Sequence, residues 1–80
     1  MKLSLIITNN CSACIRAKAK LKDIALRYPD VYLNIINEKE YNDKGISILP
    51  ALLIDDKLFS YGDIDELNLL SMISKRKNML

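Results

Sequence analysis

Cys11 and Cys14 are the only cysteines of the chain, set two residues apart in Asn10-Cys11-Ser12-Ala13-Cys14-Ile15. Two thiols at that spacing can close a small disulfide ring, or each can lend one sulfur to a metal. The remaining composition weighs on the choice. There is no histidine, which removes the usual acid/base residue at neutral pH and the commonest metal ligand. Two cysteines are too few for a four-thiolate zinc site within one chain. A ring this small removes little chain entropy, so it is a poor structural staple. Thiol–disulfide exchange is the first reading. A zinc or iron–sulfur centre shared between two copies of the chain remains the alternative.

Exchange needs two unlike thiols. One must be accessible and ionised to attack, and the other must sit within reach to resolve the mixed disulfide. A cysteine at a helix N-terminus meets unsatisfied N–H groups and the positive end of the helix dipole, and both favour thiolate. The sequence puts Cys11 at such a joint and Cys14 one turn further, on an apolar face. Cys11 is then the attacking thiol and Cys14 the resolving one.

The surrounding elements must supply that joint. Lys2 to Thr8 is a short apolar run that reads as a strand buried on both faces. Thr8-Asn9-Asn10 has turn chemistry. From Ser12 to Tyr28 the period changes: Cys14, Ala17, Leu21, Ile24 and Tyr28 fall on one helix face, and Pro29 ends the helix. Val31 to Asn37 reads as a second strand, parallel to the first because a helix connects them. Glu38 to Lys44 is expected as a short surface helix stopped by Gly45. Pro50 precedes a strand, Ala51 to Ile54, and its sharper reading is a cis proline at the start of a hairpin. Asp55-Asp56-Lys57 turns the chain into Leu58 to Tyr61. Gly62 breaks the strand. Asp63 reads as the N-cap of the last helix, with Glu66 completing a capping box. Ile64, Leu67, Leu70 and Ile73 form its expected inner face, flanked by Leu69 and Met72. The predicted fold class is α/β, a four-stranded mixed sheet in the order β-α-β-(α)-β-β-α with helices on both faces.

The 80 residues, 50 % hydrophobic and 28 % charged, are expected to form one small domain over 1–80. The net charge is only +2, with Lys and Arg dispersed, so no nucleic-acid partner is indicated. The basic run Lys75-Arg76-Lys77 complements the dipole of the last helix. No apolar run is long enough to span a membrane. Met1 to Ile7 reads as a strand rather than a signal peptide, and the expected location is the cytoplasm, with no membrane partner.

With the cysteine pair and the proline placed, the chain resembles the thioredoxin/glutaredoxin superfamily. Strand–Cys11-Ser12-Ala13-Cys14–helix carries this first. Gly45-Ile46-Ser47-Ile48-Leu49-Pro50-Ala51-Leu52-Leu53-Ile54 is similar to the proline segment of thioredoxins in the same register. The closing turn, strand, Gly62 and helix carry it third. The size is closer to glutaredoxins, as in small thioredoxin-like redox-active disulfide proteins. The resemblance implies a thioredoxin-like fold and an oxidoreductase or electron carrier acting on protein disulfides. It implies Cys11 as exposed nucleophile, Cys14 as resolving thiol and Pro50 as a cis proline facing them, with Leu49 and Ala51 flanking a substrate groove. Gly62 and Asp63 match the glycine and acidic residue with which glutaredoxins hold glutathione. The implied partners are a disulfide-containing protein substrate and an upstream reductase, acting with a monomer. The implied cofactor is none beyond a redox-active Cys11–Cys14 disulfide. Glutathione-dependent activity is one alternative reading, and a non-catalytic binding module or metal-bridged dimer is another. Several positions depart from the family pattern: Asn10 and Ser12-Ala13 at the cysteines, Leu5 where thioredoxins carry a buried aspartate, Ile48-Leu49-Pro50 where glutaredoxins carry Thr-Val-Pro, and Gly62 alone where glutaredoxins carry two glycines.

Overall fold

β1 (Lys2–Ile7) lies inside the sheet and everything else is placed relative to it. Leu3, Ser4, Leu5 and Ile6 are all buried, as a strand with neighbours on both sides and cover on both faces requires. The computed structural model describes residues 1–41 and 48–78, with side chains through Lys75. After β1 come α1 (Ser12–Arg27), β2 (Tyr32–Asn37), a single 3₁₀ turn (Glu38–Glu40), β3 (Ala51–Ile54), β4 (Lys57–Tyr61) and α2 (Glu66–Asn78). The sheet order is β2-β1-β3-β4. β1 runs parallel to β2, with Leu5 beside Ile35, and antiparallel to β3, with Leu5 beside Leu52. β3 and β4 form an antiparallel hairpin. The mixed sheet and the order of elements agree with the reading from sequence.

Strand alternation divides the apolar side chains between two faces. On one face Leu3 and Leu5 of β1 and Leu52 and Ile54 of β3 meet Ala17, Leu21 and Ile24 of α1 and Leu69 and Ile73 of α2. Each fully buried Leu or Ile contributes about 1.5–3 kcal/mol relative to exposure. On the other face Ile6, Ala51 and Leu53 cluster with the half-buried Ile36, Tyr41 and Leu49. Both described helices therefore cover the first face. The short helix expected over Glu38–Lys44 is instead a single 3₁₀ turn that ends at Glu40, because Tyr41 is extended (φ −104°, ψ 118°). The expected remainder at 42–44, its stop at Gly45 and the helical cover expected for the second face lie outside the described residues.

Two local boundaries differ from expectation. Lys57 already belongs to β4, so the hairpin turn is the two residues Asp55-Asp56, both at positive φ (49° and 68°). A two-residue loop with that backbone follows the right-handed twist of the strands. Asp63 is not the N-cap of α2. The helix opens at Glu66, and Asp65 caps it, its side chain accepting from the Asn68 N–H at 3.2 Å and its carbonyl from the Leu69 N–H at 3.0 Å. This later start sets the phase. Leu69 and Ile73, four residues apart, point to the core, Leu70 is partly buried, and Leu67 is 83 % exposed. Ile64 is buried as well, from the loop rather than the helix. Among the described residues no helix is long and apolar enough to cross a membrane.

Candidate functional site

The carboxyl end of β1 delivers the chain into the cysteine pair. Thr8, expected in the strand, lies just past it, and its hydroxyl donates to Glu38 Oε1 at 2.8 Å. Asn10 takes positive φ (56°), a conformation that asparagine tolerates better than most residues. Cys11 is then extended (φ −122°, ψ 107°) and is the N-cap of α1. Its carbonyl accepts the first helical bond, from Ile15 N–H at 3.1 Å. Its Sγ takes the part usually played by a Ser or Asp oxygen and accepts from the Cys14 N–H at 3.0 Å.

Cys11 and Cys14 are joined as a disulfide, with Cα atoms 5.2 Å apart. The two sulfurs differ as exchange requires. Cys14 is 3 % exposed on the core side of α1, whereas Cys11 is only partly buried. The N–H aimed at Cys11 Sγ and the absence of any acidic residue in the first turn of α1 favour negative charge on that sulfur once the disulfide is reduced. Among the described residues, no three or more Asp, Glu, Cys or His side chains are arranged to hold a metal ion.

The remaining predicted site residues gather at the same end of the sheet. Ala51 lies beside Ile6 of β1 and Tyr61 of β4. Pro50 is buried and its peptide bond to Leu49 is cis. The Pro50 carbonyl accepts from the Gly62 N–H at 2.7 Å, so this carbonyl already has a partner within the chain. Leu49 is half-buried against the second-face cluster. Gly62 has φ 77°, the left-handed region where a side chain is strained. Exposed apolar residues accompany this end: Ile15 after the pair, Ile48 before the proline, and Tyr61.

Asp63 is held from α1 by Arg16. Arg16 grips its carboxylate with two bonds, Nε to Oδ1 at 3.0 Å and Nη2 to Oδ2 at 3.3 Å. The hydrogen bond and charge of Arg16 hold the Asp63 carboxyl below its ordinary range, and Asp63 in turn raises Arg16. The two residues are 47 apart in sequence, and neither carries a local signal that would have paired them. Arg16 and Asp63 also flank a shallow groove lined by Ala17, Ala19, Lys20 and Ile64. Further along, Arg27 bonds Glu66 at 3.0 Å and Lys20 lies 3.9 Å from it. The polar flank of α1 is thus tied to the start of α2 and the loop before it.

Because the folded state lowers the Asp63 pKa, its contribution to stability is present above the ordinary carboxylate value of about 3.9 and is lost as pH falls through the lowered folded value. Both partners are largely exposed, so the effect is small. Asp63→Asn should lower Tm slightly at neutral pH, and the gap from the parent should close by about pH 2. Thermal melts across that range check it, and a gap unchanged at low pH contradicts it.

A mixed four-stranded sheet with a cysteine pair between its inner parallel strand and the following helix defines the thioredoxin-like fold with a Cys-x-x-Cys disulfide. Solved thioredoxins are similar throughout. The chain superposes on Trichomonas vaginalis thioredoxin with a TM-score of 0.70 and 21 % identity, covering 92 % of this chain and 77 % of that one. Fasciola hepatica thioredoxin gives 0.68 and 18 %, covering 92 % and 78 %. Chlamydomonas reinhardtii thioredoxin f2 gives 0.70 and 15 %, covering 94 % and 77 %. No protein-family model and no curated protein sequence matches the chain.

Proposed function

We propose that the protein is a thiol–disulfide oxidoreductase that reduces disulfides in protein substrates and is itself recycled by an upstream reductase. One observation carries this reading: the partly exposed Cys11 sulfur caps a helix and is bonded to a buried Cys14 sulfur one turn away. In the reduced chain the Cys11 thiolate attacks one sulfur of the substrate. A Cys11–substrate bond forms, the substrate S–S bond breaks, and the departing thiolate takes a proton. Cys14, as thiolate, then attacks Cys11 Sγ. The Cys11–Cys14 bond forms and the second substrate sulfur leaves as a thiol. The substrate gains two electrons and two protons, and the chain is left oxidised.

The exposed Ile15, Ile48 and Tyr61 support a polypeptide substrate rather than a small one, since they leave apolar surface at the end of the sheet that holds the cysteine pair. Of Leu49, Pro50 and Ala51, the half-buried Leu49 has surface to offer such a groove, and Pro50 and Ala51 are buried behind it. The glutathione reading has less support, because the Asp63 carboxylate is taken up by Arg16. A reducing compartment such as the cytoplasm suits this direction of electron flow.

Cys14→Ser keeps the attack and removes the resolving step. The variant should therefore accumulate a Cys11-linked mixed disulfide with its substrates, seen as dithiothreitol-sensitive adducts on a non-reducing gel. Cys11→Ser should form none. Equal adducts from both variants would defeat the assignment of roles.

A further inference from the structure

The two edges of the sheet are built differently. Along β4, Lys57 is exposed and the ladder is broken by a bulge opposite Leu52 and Leu53. A charge and a bulge are both devices that keep an edge from pairing. β2 has neither. Val31 to Asn37 contains no charge and no proline, and its register with β1 is unbroken over six pairs. The Tyr32 N–H donates to the Met1 carbonyl. By strand alternation Tyr32, Asn34 and Ile36 turn their peptide groups toward β1, and Leu33, Ile35 and Asn37 turn theirs outward. Among the described residues no strand meets that outer edge.

We infer that β2 pairs antiparallel with β2 of a second copy of this chain, about a two-fold axis at Asn34. The register follows from the residues. With the axis at Asn34, Leu33 exchanges both peptide hydrogen bonds with Ile35 of the second copy, and Val31 stands opposite Asn37. On the helix-covered face Leu33 packs on Ile35. On the other face Tyr32 lies across from Ile36, and the two Asn34 amides meet. Aromatic to β-branched and amide to amide are favourable cross-strand pairs. A shift of the axis to Leu33 sets Tyr32 against Asn34, and a shift to Ile35 sets Asn34 against Ile36, so apolar groups face polar ones. This pairing accounts for Tyr32, which is 66 % exposed in the single chain.

On α1, Arg16 reaches Asp63 in the loop before α2, and Lys20 and Arg27 reach Glu66 at its start. α1 packs over β2, and by helical spacing the flank opposite those three carries Lys18, Lys22 and Ala25, with Ile15 and Leu26 pointing away from the sheet. These two are 69 % and 84 % exposed. The two-fold axis sets both α1 helices on one face of an eight-stranded sheet. Cys11 lies beyond the carboxyl end of β1, so the two cysteine pairs stay open at opposite ends.

Sedimentation equilibrium of the whole chain, from about 10 μM to 1 mM, tests the proposal. A monomer–dimer equilibrium is expected. Tyr32→Lys, at an exposed position, should keep the circular dichroism of the parent and weaken association at least about tenfold. In a Cys11→Ser, Cys14→Ser background, Asn34→Cys should oxidise to a linked dimer, because Cα atoms across a non-hydrogen-bonded pair are about 4.5 Å apart. Leu58→Cys on β4 should link at least about tenfold more slowly. A chain that stays monomeric over the whole range overturns the inference. So does a dimer indifferent to Tyr32→Lys, or equal linking at 34 and 58.

Discussion

Cys11→Ser brings the reduction of insulin disulfides down to the rate of dithiothreitol alone. Serine lacks a group that ionises near neutral pH, so no nucleophile remains to open the substrate bond. The buried Cys14 cannot replace it, since its sulfur lies on the core side of α1 at 3 % exposure. The substitution isolates chemistry from folding. Cys11 caps α1 by accepting the Cys14 N–H, and serine is among the best residues for that task. The variant should therefore match the parent in circular dichroism and lose only turnover. The measurement is the turbidity of reduced insulin against time, with and without protein. Turnover equal to that of the parent would remove Cys11 from the reaction and the oxidoreductase reading with it.

Leu5→Asp unfolds the protein at neutral pH or costs it about 3–5 kcal/mol. Resemblance to thioredoxins places a buried aspartate at this position, so the substitution looks conservative from that side. The structure argues otherwise. Leu5 is fully buried in the first-face cluster, beside Ile35 on one neighbouring strand and Leu52 on the other. Its neighbours in that cluster are apolar side chains of β1, β3, α1 and α2, which offer no hydrogen bond to a carboxylate. Burial of this kind raises the carboxyl pKa above its unfolded value. The penalty is therefore smallest below about pH 4, where the carboxyl is protonated in both states, and grows as pH rises through and above the unfolded value. Urea denaturation should show Leu5→Asp more stable relative to the parent at about pH 4 than at pH 7, with Leu5→Asn destabilised but without that slope. Leu5→Asp as stable as the parent at pH 7 would mean that a polar partner reaches this position.

The readable features were those with short-range causes. The run Leu3 to Ile6, the three- and four-residue spacing of Cys14, Ala17, Leu21 and Ile24, and Pro29 after Tyr28 lie within one element each. All three correspond to observed features: a buried strand, a buried helix face and a helix end. The hairpin at Asp55-Asp56 was readable for the same reason, with an error of one residue at Lys57. The start of α2 was not. Asp63 and Asp65 are both good N-caps, and sequence offers no means to choose between them. The choice fell to Arg16, which takes the Asp63 carboxylate from 47 residues away and leaves Asp65 to cap the helix. The inner face of α2 then took Leu69 in place of Leu67 and kept Ile73.

The cysteine pair shows the same division. Sequence by itself determined that two thiols stand one helical turn apart at a strand–helix joint, with no histidine nearby to share the chemistry. Those facts follow from spacing and local propensity. Tertiary structure decided what stands around them. The register Ile6–Ala51–Tyr61 brings Pro50, Gly62 and the exposed apolar residues to the end of the sheet where β1 releases Cys11. Packing on Leu3, Leu5 and Leu52 fixes the face of α1 that buries Cys14 and leaves Cys11 partly exposed. Strand register and helix docking are set by contacts between residues far apart in the chain, and hydrophobic burial stabilises them only when all the partners are present.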